Sequence, residues 1–430
     1  MRYYSTNRRS PDAGFRDAVL EGQPDDGGLY FPADIAPLDP SFIARFVDMA
    51  NDEIAFEVIR AFVGGEIPDE ELHRISAQAV DFDFPLVTIN DRGSALELFH
   101  GPTLAFKDVG ARFMSRCLAW FERASSHRTL VVVATSGDTG GAVAAGFHGV
   151  EGVEVVILFP KGRISPVQEL QLTTWGGNVT TLELHGSFDD CQALAKRALA
   201  DQELRKKARL TSANSINIAR WLPQQFYYFF ALQQWHGEPP VISVPSGNFG
   251  NLASGMLAAR RGLPVKRFLA ACNANDVVPR HLESGTYEPR ETIRTLSNAM
   301  DVGAPSNWVR ILELFGHDVD RVRQMLSAAR IDDDQTSETI RDVYRSTGYT
   351  LDPHGAVGFR ALTHHLNEHP LERGLFLETA HPVKFDTVNE IIGEAVEAPG
   401  LLNDLATRPK TSIAMENDYD ELKDLLLTKL

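Results

Sequence analysis

The sequence predicts an α/β protein, with parallel sheets covered by helices on both faces and a mainly helical domain in front. Three observations carry this. From Ala95 onward, short Val/Ile/Leu runs alternate with amphipathic stretches, the pattern of strands buried on both faces and joined by helical crossovers. Two of those runs lead directly into glycine loops that open helices, the strand-loop-helix unit of such sheets. The segment before Ala95 instead carries short helical patterns separated by proline-rich joints. At 430 residues the chain exceeds the length at which one hydrophobic core usually stops growing, so several domains are expected.

In chain order, helical periodicity falls at Phe15 to Glu21, Phe42 to Val47, Ile54 to Phe62 and Glu70 to Val80. These define an N-terminal accessory domain, 1–94. A helix follows from Asp108 to Phe121. Strands are expected at Leu130 to Ala134, Val153 to Phe159, Val179 to Leu184, Val241 to Val244, Phe268 to Cys272 and Leu375 to Leu377. Ser165 and Gln168 fit a capping box with Pro166 at the first helical position, so a helix starts there. The chain divides into a large domain, 95–125 with 226–430, and a small one, 126–225. The tail, Glu416 to Leu430, reads as a capping helix.

Composition narrows the function. With 42 Lys and Arg against 58 Asp and Glu, the formal charge of −16 disfavours chain-wide affinity for nucleic acid or anionic lipid. Any bound anion must be held locally. Three scattered cysteines, Cys117, Cys191 and Cys272, offer neither a disulfide framework nor a paired metal spacing, which fits a reducing compartment and a cytoplasmic location. No apolar run is long enough to span a bilayer, and the N-terminus, MRYYSTNRRSPDAGF, lacks the apolar core of a secretory signal. His364, His365 and His369 lie on a polar helical stretch without the zincin pattern, so no metal site is expected.

The chemistry concentrates in four segments. Thr135 to Gly141 and Ser246 to Asn251 both follow strands and share Ser-Gly-[Asp/Asn]-x-Gly. Glycine frees the backbone to aim successive amides at one anion, and the helix that follows adds its positive end. Neither loop is a P-loop or a dinucleotide fingerprint. A third segment, Phe159 to Gln168, sets Lys161 and Arg163 just ahead of the capped helix, where a doubly charged phosphate is favoured. Arg220 is a further candidate cation. The fourth is Lys107, after an apolar run and at a helix start; a lysine among apolar neighbours loses basicity, as Schiff-base chemistry with an aldehyde requires.

The strings FHGPTLAFKD, VVVATSGDTGGA, FPKGRISPVQ, TSANSINIARWLPQ, VPSGNFGN, LDPHGAVG and ETAHPVKF, with GGLYFP and MRYYSTN upstream, together resemble the fold type II pyridoxal-phosphate enzymes, and among them the threonine synthase family. The likeness runs in order through nearly the whole chain. It implies that Lys107 carries pyridoxal phosphate as a Schiff base. It further implies that Ser246, Gly247, Asn248, Phe249, Gly250 and Asn251 hold the cofactor phosphate, and that the Thr379 hydroxyl meets the pyridine nitrogen. A neutral hydroxyl there favours elimination and replacement over transamination. Ser136, Gly137, Asp138 and Thr139 match the loop that meets the substrate carboxylate and the cofactor's ring oxygen. Asp138 departs from the Asn common in the wider fold; an ionised carboxylate beside a phenolate would be repelled, so it is either protonated or turned elsewhere.

The reaction the resemblance implies is conversion of O-phospho-L-homoserine and water to L-threonine and phosphate, a carbon-oxygen lyase chemistry, with Lys161 and Arg163 as the substrate-phosphate clamp. The alternative within the fold is a serine or threonine dehydratase or a phospho-amino-acid lyase. The expected partner is a small-molecule substrate, without nucleic acid or membrane, in a monomer or weak homo-oligomer.

Overall fold

The computed structural model describes residues 1–123 and 128–430. The expected boundary near 125 falls outside the described residues. Thirteen strands occur among them: β1 (Tyr3–Ser5), β2 (Tyr30–Pro32), β3 (Leu86–Thr88), β4 (Gly93–Glu97), β5 (Thr129–Ala134), β6 (Val153–Pro160), β7 (Val179–Leu184), β8 (Arg209–Thr211), β9 (Val241–Pro245), β10 (Arg267–Cys272), β11 (Leu326–Arg330), β12 (Gly374–Glu378) and β13 (Ser412–Met415). All six strands expected from apolar runs are present. β1 and β2 form an antiparallel ribbon. A six-stranded sheet has the order β11-β10-β9-β12-β4-β3, parallel except for the β3–β4 edge. A five-stranded sheet, β13-β7-β6-β5-β8, is parallel throughout.

Both sheets are covered on both faces, and the alternation of side chains along each strand shows it. In the larger sheet Ile242, Val244, Leu375 and Leu377 enter the main core, whereas Val241, Leu269 and Phe376 pack with Leu362 and Leu366 of the helix Pro353–Glu368 on the other side. In the smaller, Val131, Val133, Val155 and Ile157 join the main core while Leu130, Val132, Val156 and Leu158 pack with Leu194 and Ala198 of the helix Phe188–Ala200. Period-two strands with both sides apolar require this sandwiching.

The four N-terminal helical patterns appear at Phe15–Glu21, Pro40–Arg45, Asn51–Val63 and Asp69–Ala79. Their buried residues, Phe15, Phe42, Ile54, Val58, Phe62 and Leu72, belong to the same core as the inner faces of both sheets. This segment therefore shares one core with both sheets.

The tail differs from expectation. The large domain expected from the sequence includes the end of the chain, yet β13 pairs with β7 at the edge of the smaller sheet, and the helix Tyr419–Thr428 buries Leu422 and Leu426 against it. Four residues of SIAM, three of them exposed, carry no strand pattern of their own; pairing with the β7 edge defines them.

Candidate active site

β9, β12 and β4 lie side by side in the larger sheet, and their carboxyl ends carry three of the predicted segments: Ser246 to Asn251, Thr379, and Leu98 to Lys107. In an open parallel sheet this is where ligands bind. Backbone pairing ties the last two together. Ala105 bridges Ala380, the Phe106 amide donates to the Thr379 carbonyl (2.9 Å) and the His381 amide to that of Leu104 (3.0 Å). Lys107 then opens the helix Lys107–Glu122. Leu104 takes φ 55°, a left-handed turn rare outside glycine, which reverses the chain into that helix. The Tyr227 hydroxyl donates to the Phe106 carbonyl, and Arg220 Nη2 lies 3.5 Å from that of Lys107.

Burial lowers the Lys107 amine to about 8; Asp138 opposes that shift, while the positive charges of Lys384 and Arg220 assist it. Near neutral pH a useful fraction is therefore the free nucleophile, as the apolar neighbours in the sequence suggested.

The Ser246 loop has the form of an anion cradle. Phe249 takes φ 62°, and the helix Gly250–Arg260 begins immediately after it. The loop is braced from outside. Asn248 donates to Ser215 Oγ (2.9 Å) and accepts from the Ser306 amide (2.6 Å), and the Asn307 amide reaches its carbonyl (3.3 Å). Within the first helical turn, buried Asn251 accepts from the Tyr228 hydroxyl (2.8 Å) but leaves Nδ2 without a partner among the described residues. An unsatisfied buried donor beside a positive helix end suits a phosphate. This fits pyridoxal phosphate: an amine for the aldehyde, a cradle for the phosphate, and the buried Thr379 between them in strand order.

The second glycine loop opens the helix Asp138–Phe147 from the carboxyl end of β5 in the smaller sheet. The Thr135 hydroxyl accepts from the amides of Gly137 (3.0 Å) and Gly140 (2.8 Å), and Gly137 takes φ 141°. Asp138 turns its carboxylate to Lys384 and Gln168. Burial would raise its carboxyl, but Lys384 Nζ at 2.7 Å, the charge of Lys107 and a 3.0 Å bond from Gln168 Nε2 outweigh that and hold it well below the usual carboxylate range. Lys384 is wholly buried and also donates to the Thr103 carbonyl (2.8 Å). With Gln171 Nε2 on the same carbonyl (3.0 Å), these contacts join the two sheets' loops around Lys107.

Lys384 was not anticipated. In ETAHPVKF it looks like any surface lysine; only its partner, remote in sequence, reveals it. Ser165 caps the helix Pro166–Thr173 with Gln168 as expected. Lys161 and Arg163 stand ahead of it at the carboxyl end of β6, on the same side as the Asp138 loop, but they are exposed. Lys161 Nζ lies 3.3 Å from His185 Nε2. Arg220 is buried, with Nε unpartnered among the described residues and Nη1 on the Ala213 carbonyl. Among the described residues no group of three or more His, Cys, Asp or Glu could hold a metal ion.

Sheet topology and site define a pyridoxal-phosphate-dependent enzyme of α/β type, and that family, described as "Pyridoxal-phosphate dependent enzyme", matches residues 95–376. Two further families, "Threonine synthase N terminus" and "Threonine synthase, C-terminal", match 2–80 and 355–426. The threonine synthase of Serratia marcescens is 44% identical over 431 residues, covering 99% of each chain. The crystal structure of threonine synthase from Escherichia coli superposes with a TM-score of 0.92 at 44% identity, covering 100% of both chains. The pyridoxal-phosphate-bound threonine synthase from Brucella melitensis superposes at 0.93 with 36% identity, covering 100% of this chain and 99% of that one. The chain belongs to the threonine synthase family.

Proposed function

We propose that this protein converts O-phospho-L-homoserine and water to L-threonine and phosphate. The observation that carries the reading is a half-buried lysine amine beside a braced anion cradle, at the carboxyl ends of three adjacent strands. Pyridoxal phosphate, when bound, supplies the electron sink for charge developing at the substrate's α and β carbons. Lys107 is the group that captures the cofactor aldehyde. Once freed by the substrate amine, its Nζ takes the Cα proton and releases it again before taking the Cβ proton as phosphate leaves from Cγ; a proton is then delivered to Cγ, which becomes the methyl group, and another restored to Cα as water adds at Cβ. Ser246 to Asn251 grip the cofactor phosphate through amides and the Asn251 amide group. Thr379 presents a neutral hydroxyl to the ring nitrogen. Ser136 to Thr139 offer the substrate carboxylate the amides at the start of the helix Asp138–Phe147.

Lys107→Ala is expected to lower turnover at least about a thousandfold, as loss of both nucleophile and base requires. The check is phosphate release from O-phosphohomoserine with threonine identified as co-product. Full turnover in this variant ends the reading, and release of 2-oxobutyrate in place of threonine makes the enzyme a dehydratase. Lys161 and Arg163, exposed at the carboxyl end of the strand next to the one that carries the Asp138 loop, are proposed to meet the substrate phosphate. Reversing both charges raises KM by about tenfold or more and leaves cofactor absorbance intact; unchanged kinetics removes them from the site. The three cysteines are unpaired and buried, which supports a reducing, cytoplasmic location.

A further inference from the structure

Beyond the groups that touch cofactor or substrate, the site contains a buried ion pair with no counterpart in the reading above. Lys384, from the turn Pro382–Lys384 after β12, has no exposed surface and spends its ammonium on two acceptors, Asp138 Oδ1 at 2.7 Å and the Thr103 carbonyl at 2.8 Å. Thr103 lies four residues before Lys107, and its amide and hydroxyl are both held by Asp108. Asp138 is the first residue of the helix from the other sheet and takes a second bond from Gln168 (3.0 Å). One ammonium thus connects the loop after β12, the segment before Lys107 and the second glycine loop. A buried charge is costly unless paired and hydrogen-bonded, so a pair this complete, tied through the Thr103 carbonyl to the segment that carries Lys107, braces that segment.

We propose that Lys384 is a positioning residue: it neutralises Asp138, fixes the Ser136–Thr139 turn against the Lys107 segment, and with Asp138 sets the charge balance around the reactive amine. Asp138 favours protonated Lys107 and Lys384 opposes it, so the two act on Lys107 in opposite senses. The other titratable groups around this centre are Asp108 on the Lys107 helix, Arg220, Tyr227 and His381. Burial holds Arg220 at about 10, raises the Tyr227 phenol and lowers His381 to about 4. Among these groups, Lys107 is the one placed to titrate between about pH 6.5 and 9.5.

The inference rests on Lys107 being the amine that captures the cofactor, and the test separates the two. Full-length protein stripped of cofactor is mixed with pyridoxal phosphate by stopped flow across this pH range. The capture rate, followed by visible absorbance, gives a midpoint, and equilibrium titration gives affinity. Lys384→Met is expected to raise the midpoint by about 1 unit and Asp138→Asn to lower it by about 1, the double variant returning near wild type. Each single variant loses about tenfold or more in affinity because one buried charge is left alone, and the double recovers most of it. Lys384→Arg keeps the midpoint. A purely structural role moves stability without opposite midpoint shifts. Should Lys384→Met fail to fold, the near-isosteric Asp138→Asn decides: a lowered midpoint supports the proposal and an unmoved one overturns it. Capture that persists in Lys107→Ala overturns the assignment of Lys107; capture lost there with unmoved midpoints in the other variants overturns only the role of Lys384.

Discussion

Lys107 is held at a cost. Its amine titrates at about 8 against an ordinary 10.5, so at neutral pH the folded protein keeps a charge where burial resists it. The sign follows from proton counting. Between pH 8 and 10.5 the unfolded chain binds the proton more strongly than the folded one, so stability rises with pH through that window and the penalty is fully present below it. Lys107→Met is therefore expected to stabilise the cofactor-free protein at pH 7 by about 2 kcal/mol after allowance for its partial exposure, the gain fading toward pH 10.5. Thermal unfolding by circular dichroism at pH 7 and pH 10 tests this, and an equal gain at both would refute it. At this scale the sequence was partly legible. Lys107 could be singled out because its neighbours are apolar and adjacent in the chain. Lys384 could not, because the carboxylate that explains it lies in another loop on another sheet, and a lone Pro-Val-Lys carries no charge pattern.

The elements were readable where they are long and buried. β5, β6, β7, β9, β10 and β12 announce themselves because both faces need apolar side chains. β1, β2, β3, β8 and β13 are too short for any period to show, and β11, Leu-Ser-Ala-Ala-Arg, has the weak pattern of an edge strand. The glycine loops were legible as cradles, but not what packs behind them. At Gly247 an added Cβ would lie 2.5 Å from Met300 Cα, a backbone atom that cannot swing aside. Gly247→Ala is accordingly expected to displace the cradle, costing about 2 kcal/mol of stability and about tenfold in pyridoxal-phosphate affinity. Absorbance titration measures the latter, and unaltered binding would show that the loop tolerates the shift.

Across the whole molecule, one core links the N-terminal helices to both sheets, and buried Arg310 shows how. Its guanidinium stacks over Trp221 (4.2 Å) and donates to the carbonyls of Tyr30 (3.2 Å), Ser215 (2.9 Å) and Ile216 (2.6 Å). Ser215 in turn accepts from Asn248, so β2 and the Ser246–Asn251 loop share a support. The C-terminal helix plays a comparable part for the smaller sheet. Leu422 is fully buried, and Tyr419 reaches Asp201 (2.7 Å). Leu422→Ala should destabilise the fold by roughly 2 to 4 kcal/mol, read from denaturant unfolding; a loss under about 1 would mean the helix is dispensable. None of this long-range bracing leaves a trace in local sequence, since each partner is ordinary on its own.

The bridge between Ala105 and Ala380 has a consequence for biosynthesis. The reactive amine belongs to the first third of the chain, but the segment that pins it is translated near the end. A ribosome-bound chain that has not yet emerged past Lys384 lacks the Thr379 carbonyl and the ammonium that hold that segment in place. On the proposed role of Lys107, loading with the vitamin-derived group is expected to wait until the polypeptide is almost finished, and fragments released early should be unable to retain it.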